Sequence, residues 1–384
     1  MILIRLTIIL LIIGMHYTAL SQGCLPNGIV LAAQIDIDNF QTNFPDCIEI
    51  EGNITIEGPN ITNLIGLSKL TKVNGDFEII NCSILQNLTG LNNLSSIGGN
   101  LSIWNNDSLE SISGLNNLSI INGNLYIGNH NYEAGNYSLK NLEGLNNISI
   151  VHNDLEIYRN NKLSSITGLQ KLSHIGGDFI IAENDSLQNL TGLDSLMTVG
   201  DDLIIFLNNS IGNLDPLLQL ISVSGYLSIT NNKSLQSIAG ISNVIADSIT
   251  NLLVSSNPLL TQCNIKSVCD YLGLNNDMMS ASGNGEGCSD VSQIVKSCNA
   301  NGLFDYQDQD FITIYPNPTN DHFSIINKPK IQIDRIRIMN YCGQVLYEKL
   351  FILNRIDVSD LPKGIYLIEL VSKRIVYKNR IIIN

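Results

Sequence analysis

Cations, histidines and long apolar runs are all scarce in this chain, and each shortage removes a class of function. Only 21 Lys and Arg stand against 35 Asp and Glu, a formal net charge of −14. A surface with that balance repels phosphate backbones and anionic headgroups, so nucleic acid is not an expected partner. The five histidines are His16, His130, His152, His174 and His322. None has Asp, Glu or Cys at metal-ligand or nucleophile spacing, so no catalytic constellation, metal site or cofactor is expected. The cysteines include no Cys-x₂₋₄-Cys pair of the kind that structural zinc uses. After the first 21 residues, no apolar run approaches the ~20 residues of a membrane-spanning helix.

What the chain has in abundance is repetition. A Gly-Leu pair recurs at Gly66-Leu67, Gly90-Leu91, Gly114-Leu115, Gly144-Leu145, Gly168-Leu169 and Gly192-Leu193, continued by Pro216-Leu217 and Gly240-Ile241. The period is 24 residues, broken once by a six-residue insertion around His130 to Asn136. Such a period marks a solenoid. Within each unit the apolar residues alternate across one short run, which predicts strands beginning at Ile54, Phe77, Leu101, Leu125, Leu155, Phe179, Leu203, Leu227 and Leu252. Their first and third residues point inward. One coil cannot bury its Leu and Ile alone, so the coils must stack into a parallel sheet over a shared core.

Position six of the strand unit is Asn at Asn106, Asn160, Asn184, Asn208, Asn232 and Asn257. A carboxamide both donates and accepts, so a stacked column of them can satisfy the buried polar groups of the turn in successive coils. Cys82 occupies the same slot in an early coil and reads as a buried thiol. Positions two and four face outward and include Trp104, the only Trp, with Tyr126, Glu156, Tyr158, Ile180, Ile204 and Phe206. Stacking at ~4.8 Å per coil would align them into an exposed strip, a candidate binding face for a protein or glycan. The competing reading is that a loop or cap covers that strip. The adjacent acids Asp201 and Asp202 read as solvated turn residues.

The ends differ from the middle. Residues 1–21 carry one cation, Arg5, a Leu/Ile run to Ile13 and a small-residue Ala19-Leu20-Ser21 site, the pattern of a signal peptide. Export permits disulfides. Cys24 and Cys47 flank Ile29 to Phe44, read as a short helix and turn, and are expected to pair within an N-terminal cap, 22–52. The solenoid spans 53–260. A C-terminal cap, 261–298, contains Cys263, Cys269, Cys288 and Cys298 in one of three connectivities, with helical patterns over Asn264 to Leu272 and Val291 to Ser297. Residues 299–311 read as a linker. Residues 312–384 lose the period and show short alternating strands, which predicts a small antiparallel β-sandwich. Charge divides likewise, with a net −20 over 22–311 and +5 over 312–384.

The coil resembles a leucine-rich repeat, and more closely the receptor L-domain variety, through its Gly-Asn-Leu-x-Ile-x-x-Asn pattern and through Cys47-Ile-Glu-Ile-Glu-Gly-Asn-Ile-Thr-Ile56. That resemblance implies a right-handed, leucine-rich-repeat-like parallel β solenoid that binds a ligand; it does not imply an activity. The tail resembles the type A C-terminal sorting domain of type IX secretion in Bacteroidota. The matching residues are Tyr315-Pro316-Asn317-Pro318-Thr319, Asn340 to Val345 with Gly343, Val358 to Tyr366 with Gly364, and Lys378 before the terminal Ile run. This implies contact with the secretion machinery, removal of the domain, and either release or attachment at the outer-membrane surface. The expectation is therefore a mainly β, exported, non-enzymatic binding protein. Its rivals are a polysaccharide-acting enzyme that uses Glu156 and neighbouring acids, and a purely structural surface or matrix protein.

Overall fold

The computed structural model describes residues 23–274, 278–300, 312–327, 333–340, 344–350, 355–371 and 376–384. The signal-peptide reading and positions 301–311 of the linker lie outside these residues.

The dominant element is an eleven-stranded parallel sheet in strict chain order. Its strands are Ile29–Leu31, Ile54–Glu57, Phe77–Ile80, Leu101–Trp104, Leu125–Ile127, Leu155–Tyr158, Phe179–Ala182, Leu203–Phe206, Tyr226–Thr230, Asn251–Ser255 and Met279–Ser282. Equivalent residues pair from coil to coil, and the insertion does not shift the register, since Leu101 pairs with Leu125 and Leu125 with Leu155. Two four-stranded parallel ladders run along another side of the coil, from Glu49–Ile50 to Ile120–Ile121 and from Ile150–Val151 to Ser222–Val223. Inward residues of all sides meet in one continuous core that is mostly Leu, Ile and Val.

The Gly-Leu marker has a steric cause. A Cβ on Gly114 would sit 2.0 Å from the Leu88 carbonyl oxygen, and one on Gly168 would sit 1.8 Å from that of Leu142. Backbones of adjacent coils touch at these glycines, so a side chain there would clash, with Pro216 holding the slot in one coil, while the following Leu turns into the core.

Two side-chain ladders tie the coils together. In the first, Asn184 Nδ2 donates to the carbonyls of Ile157 and Ala182 at 2.9 and 3.0 Å, while its Oδ1 accepts from the Asn160 backbone N–H at 3.1 Å. Asn160, Asn208 and Asn232 repeat that pattern. The column is longer than the repeat alone suggests. Asn136, at the end of the insertion, fills the missing rung through Ile103 O and Asn160 Oδ1, and Asn284 closes the far end beneath Asn257. The residue before most rungs is left-handed, with φ of 53–59° at Asn105, Arg159, Glu183, Leu207, Asn231 and Ser256.

The second ladder precedes each strand. Oδ1 of Asn53, Asp76, Asn100, Asn124, Asp154, Asp178 and Asp202 each accepts the backbone N–H of the corresponding residue in the next coil, at 2.6–3.0 Å. Gly99, Gly123 and Gly177 lie where a Cβ would strike these oxygens. The Gly-Asn of the repeat is thus one device, with an acceptor and the space it needs.

The caps correct two expectations. Ile29–Leu31 is a strand rather than part of a helix, because Ile54–Glu57 offers a free sheet edge and Ile29 to Leu31 pair along it. Helices follow at Gln34–Asp38 and Phe40–Asn43. At the other end Met279–Ser282 extends the sheet beyond the predicted last strand, and helices Lys266–Leu274 and Val291–Ala300 close the core. Disulfides join Cys24 to Cys47, Cys263 to Cys288 and Cys269 to Cys298.

The tail has its own core. A three-stranded antiparallel sheet (Ile312–Tyr315, His322–Asn327, Arg355–Asp357) and a four-stranded one (Arg335–Met339, Val345–Leu350, Gly364–Val371, Val376–Ile383) bury Phe323, Ile336, Ile368 and Ile381.

Removal of one rung should show how much the column matters. Asn184→Ala leaves the Asn160 N–H buried without its acceptor and takes one donor each from the Ile157 and Ala182 carbonyls, and is expected to cost about 3 kcal/mol in urea unfolding. Asn153→Ala, at an exposed position, should stay within about 0.5 kcal/mol of wild type.

Candidate functional site

The outward face of the large sheet is in the register the alternation implies. Glu156 pairs with Ile180 and Ile180 with Ile204, while Tyr158 aligns with Ala182 and Ala182 with Phe206. Tyr126 and Trp104 stand on the two strands before these. The seven candidate residues therefore share one face, but they do not share one environment.

The six-residue insertion folds back over the first half of the strip. Its backbone closes into a tight hairpin, with Asn129 N–H donating to Ala134 O at 2.7 Å and the reverse bond at 3.1 Å. Tyr132 stacks on Trp104 with centroids 5.0 Å apart and planes 11° from parallel. Glu156 accepts from the His130 backbone N–H, and its Oε2 lies 2.8 Å from His130 Nδ1. Arg159 donates from Nη1 to the Glu133 carbonyl and from Nε to Glu183 Oε2, both at 2.6 Å, and the Tyr158 hydroxyl donates to Glu183 Oε1 at 2.9 Å.

Two candidates are corrected by this arrangement. Glu156 is 2% exposed and Tyr158 6% exposed, so neither belongs to an open strip. Alternation placed them outward correctly, but it carries no information about a loop folding across them. Ile180, Ile204 and Phe206 are half-buried and form the floor beyond the hairpin. Leu253, two coils beyond Ile204 at the same strand position, extends that floor.

Burial governs the electrostatics. It raises the Glu156 carboxyl above its ordinary range, against the opposing contacts of His130. Burial, then the charges of Asp154 and Glu156, pushes the Tyr126 phenol up to about 12. The Cys82 thiol, pushed up to about 11 by burial, points at the carbonyls of Ile80 and Ile56 and is no nucleophile at neutral pH. Carboxylate oxygens of Asp178, Asp201 and Asp202 lie within 4.8 Å of one another. Asp178 and Asp202 are acceptors of the second ladder, which explains their approach without an ion.

Two features escaped the sequence reading. Met197, Ile221 and Ile245 are exposed and stack one above another, with Ile221 N–H donating to Met197 O and Ile245 N–H to Ile221 O. Their 24-residue spacing was a visible signal. The second is a shallow depression of about 180 Å³ past the strand ends, lined by Tyr137, Arg159, Asn161, Glu183, Asp185, Leu207 and Asn209. No linear motif marks it, because its walls come from four coils.

The tail's family match gives the chain its class, that of an exported protein with a C-terminal address. Residues 313–384 match the family model of the secretion system C-terminal sorting domain, which marks the chain for the type IX pathway. No curated protein matches the chain at a significant level. Of the motif residues, Tyr315 is exposed, and Asn317 binds the last strand, donating to Arg380 O at 2.8 Å and accepting from Ile382 N–H at 2.9 Å. Pro316 and Pro318 flank it in that turn. Gly364 opens a strand, and the Tyr366 hydroxyl on it donates to Pro362 O at 2.6 Å. Lys378 lies on Val376–Ile383, and Gly343 falls outside the described residues. Among the described residues no helix is long and apolar enough to cross a membrane.

Glu156 makes stability depend on pH. Its folded-state pKa is raised above the 4.5 of a free glutamate, so its contribution is complete below that value and is lost as pH rises through the folded one. Glu156→Gln removes the charge, and its Tm should exceed that of wild type by a margin that grows from pH 4.5 upward. Thermal melts of both proteins across that range check the sign. Cys82 provides a second check. It should resist a maleimide at pH 8 in the folded protein and react within minutes in denaturant.

Proposed function

We propose that this chain is an exported, non-enzymatic repeat protein, of the leucine-rich-repeat and receptor L-domain kind, that recognises a partner protein on the open half of its sheet face. The observation that carries this reading is the floor of Ile180, Ile204 and Phe206, aligned in register and half-exposed beyond the hairpin. Aliphatic floors of this sort suit the apolar side chains of a protein better than sugar rings. The aromatic rings of the strip, which suit a sugar or a protein equally, are engaged, Trp104 by Tyr132 and Tyr158 by Glu183. A non-enzymatic role fits the same facts. Glu156, the acid an enzyme on this face would use, is buried and held by the insertion.

The sorting domain supplies the route, with the type IX machinery as its partner and the outer-membrane surface or the medium as the destination. Deletion of 313–384 in a host with that pathway should leave the protein inside the outer membrane, as fractionation and immunoblotting would show. Crosslinking of secreted wild type at the cell surface should capture a defined protein, and the double variant Ile204→Ser/Phe206→Ser should capture at least tenfold less. Equal capture by both would remove the sheet face as the site.

A further inference from the structure

The depression at the coil corner lies outside the sheet face, and its chemistry differs from that of the floor. It sits where the rows of left-handed residues and their neighbours two positions on run side by side. Elsewhere along this corner polar tips pair across coils, as Asn105 Nδ2 does with Asn81 Oδ1 at 2.6 Å. Arg159 and Glu183 continue that pairing. Leu207 then breaks it, because its side chain has nothing to offer Glu183, and the row opens into the depression. Tyr137, which holds the same repeat slot as Asn161, Asp185 and Asn209, closes one side.

The groups around this space are planar, polar and of both hydrogen-bonding senses. Arg159 and the carboxamides of Asn161 and Asn209 can donate, while Glu183 and Asp185 accept. They are also held in place from within the protein. Glu183 is fixed by Tyr158 and Arg159, and Asp185 Oδ1 accepts from Asn209 Nδ2 at 2.7 Å. Asn209 Oδ1 is buried behind this wall without a hydrogen-bond partner, while the Asn209 amide faces Asp185. At ~30 Å³ for each water in the liquid, a space of 180 Å³ holds about six waters, roughly the room one sugar ring fills.

From this geometry we infer that the corner depression is a subsite for a single neutral sugar ring, separate from the protein-binding floor. Adjacent hydroxyls of a pyranose each donate and accept, and planar amide and carboxylate side chains meet such pairs with two parallel hydrogen bonds. The mixed set disfavours the alternatives. A free anion would face Glu183 and Asp185, and a cation would face Arg159. An exposed phenol ring such as Tyr137 offers its face to the C–H side of the sugar.

The test uses the secreted full chain with free glucose, galactose, mannose and N-acetylglucosamine as probes, read by saturation-transfer NMR and titration. Saturable binding of at least one probe, with Kd on the order of 1 mM as suits a shallow site, is the expected result. Asp185→Ala and Asn209→Ala should each weaken it at least tenfold, while Ile204→Ser on the sheet face leaves it unchanged. Circular dichroism confirms that each variant is folded. Three outcomes would overturn the assignment: no saturable binding of any probe, binding unaffected by both corner variants, or binding lost in Ile204→Ser. The first two leave untouched the question of whether a protein docks on the floor.

Discussion

A coil of 24 residues turns its backbone so sharply that many peptide groups face inward or toward a neighbouring coil, with no water to satisfy them. Everything else in the solenoid depends on answering that demand. The parallel sheet answers it along the strands, and two columns of side chains answer it where the chain bends. Asn suits the inner column because one carboxamide satisfies two carbonyls and one amide at once. Asp is tolerated in the outer column because that site requires only an acceptor and stands partly in solvent. Where Cys82 takes the place of Asn at the start of the inner column, the demand is smaller, and a thiol directed at the Ile80 and Ile56 carbonyls meets it.

Because both columns are built from neighbour-to-neighbour contacts, an insertion can leave one coil without disturbing the rest. The hairpin after Ile127 does so, returning at Asn136 to resume the column. The excursion divides the outward face. One half is roofed by an aromatic stack and a buried carboxylate, and the other remains open and apolar. At the corner, Tyr137 keeps its place in the period, 24 residues before Asn161, and lines the depression with Arg159 and Asn161. A single six-residue addition thus decides which half of the sheet face is open, while the depression is built from regular repeat positions.

The tail is stabilised on other terms. Its strands are antiparallel, its core is separate from that of the solenoid, and its net charge has the opposite sign. The motif that carries the family match is structural as well as an address, since Asn317 pins the last strand and Thr319 N–H donates to Ile382 O at 2.8 Å. An address that folds independently can be presented whatever the solenoid before it contains.

Periodicity made the strands, the inward residues, most of the Asn column and the change of architecture after residue 311 readable in one dimension, because each coil repeats one local solution and every rung recurs at a fixed interval. The two end strands were not readable, since Ile29–Leu31 and Met279–Ser282 become strands only through the edges offered to them. Asn136 was missed because the insertion hides its place in the period. The pairing of the four C-terminal cysteines and the burial of Glu156 and Tyr158 were equally out of reach. Pattern alone determined that the chain stacks into a rod with a secretion address, because stacking follows from the spacing of apolar residues. Which of its faces are open was decided by the fold in three dimensions, because covering a side chain takes a segment distant in sequence, and no periodic signal records where that segment comes to rest.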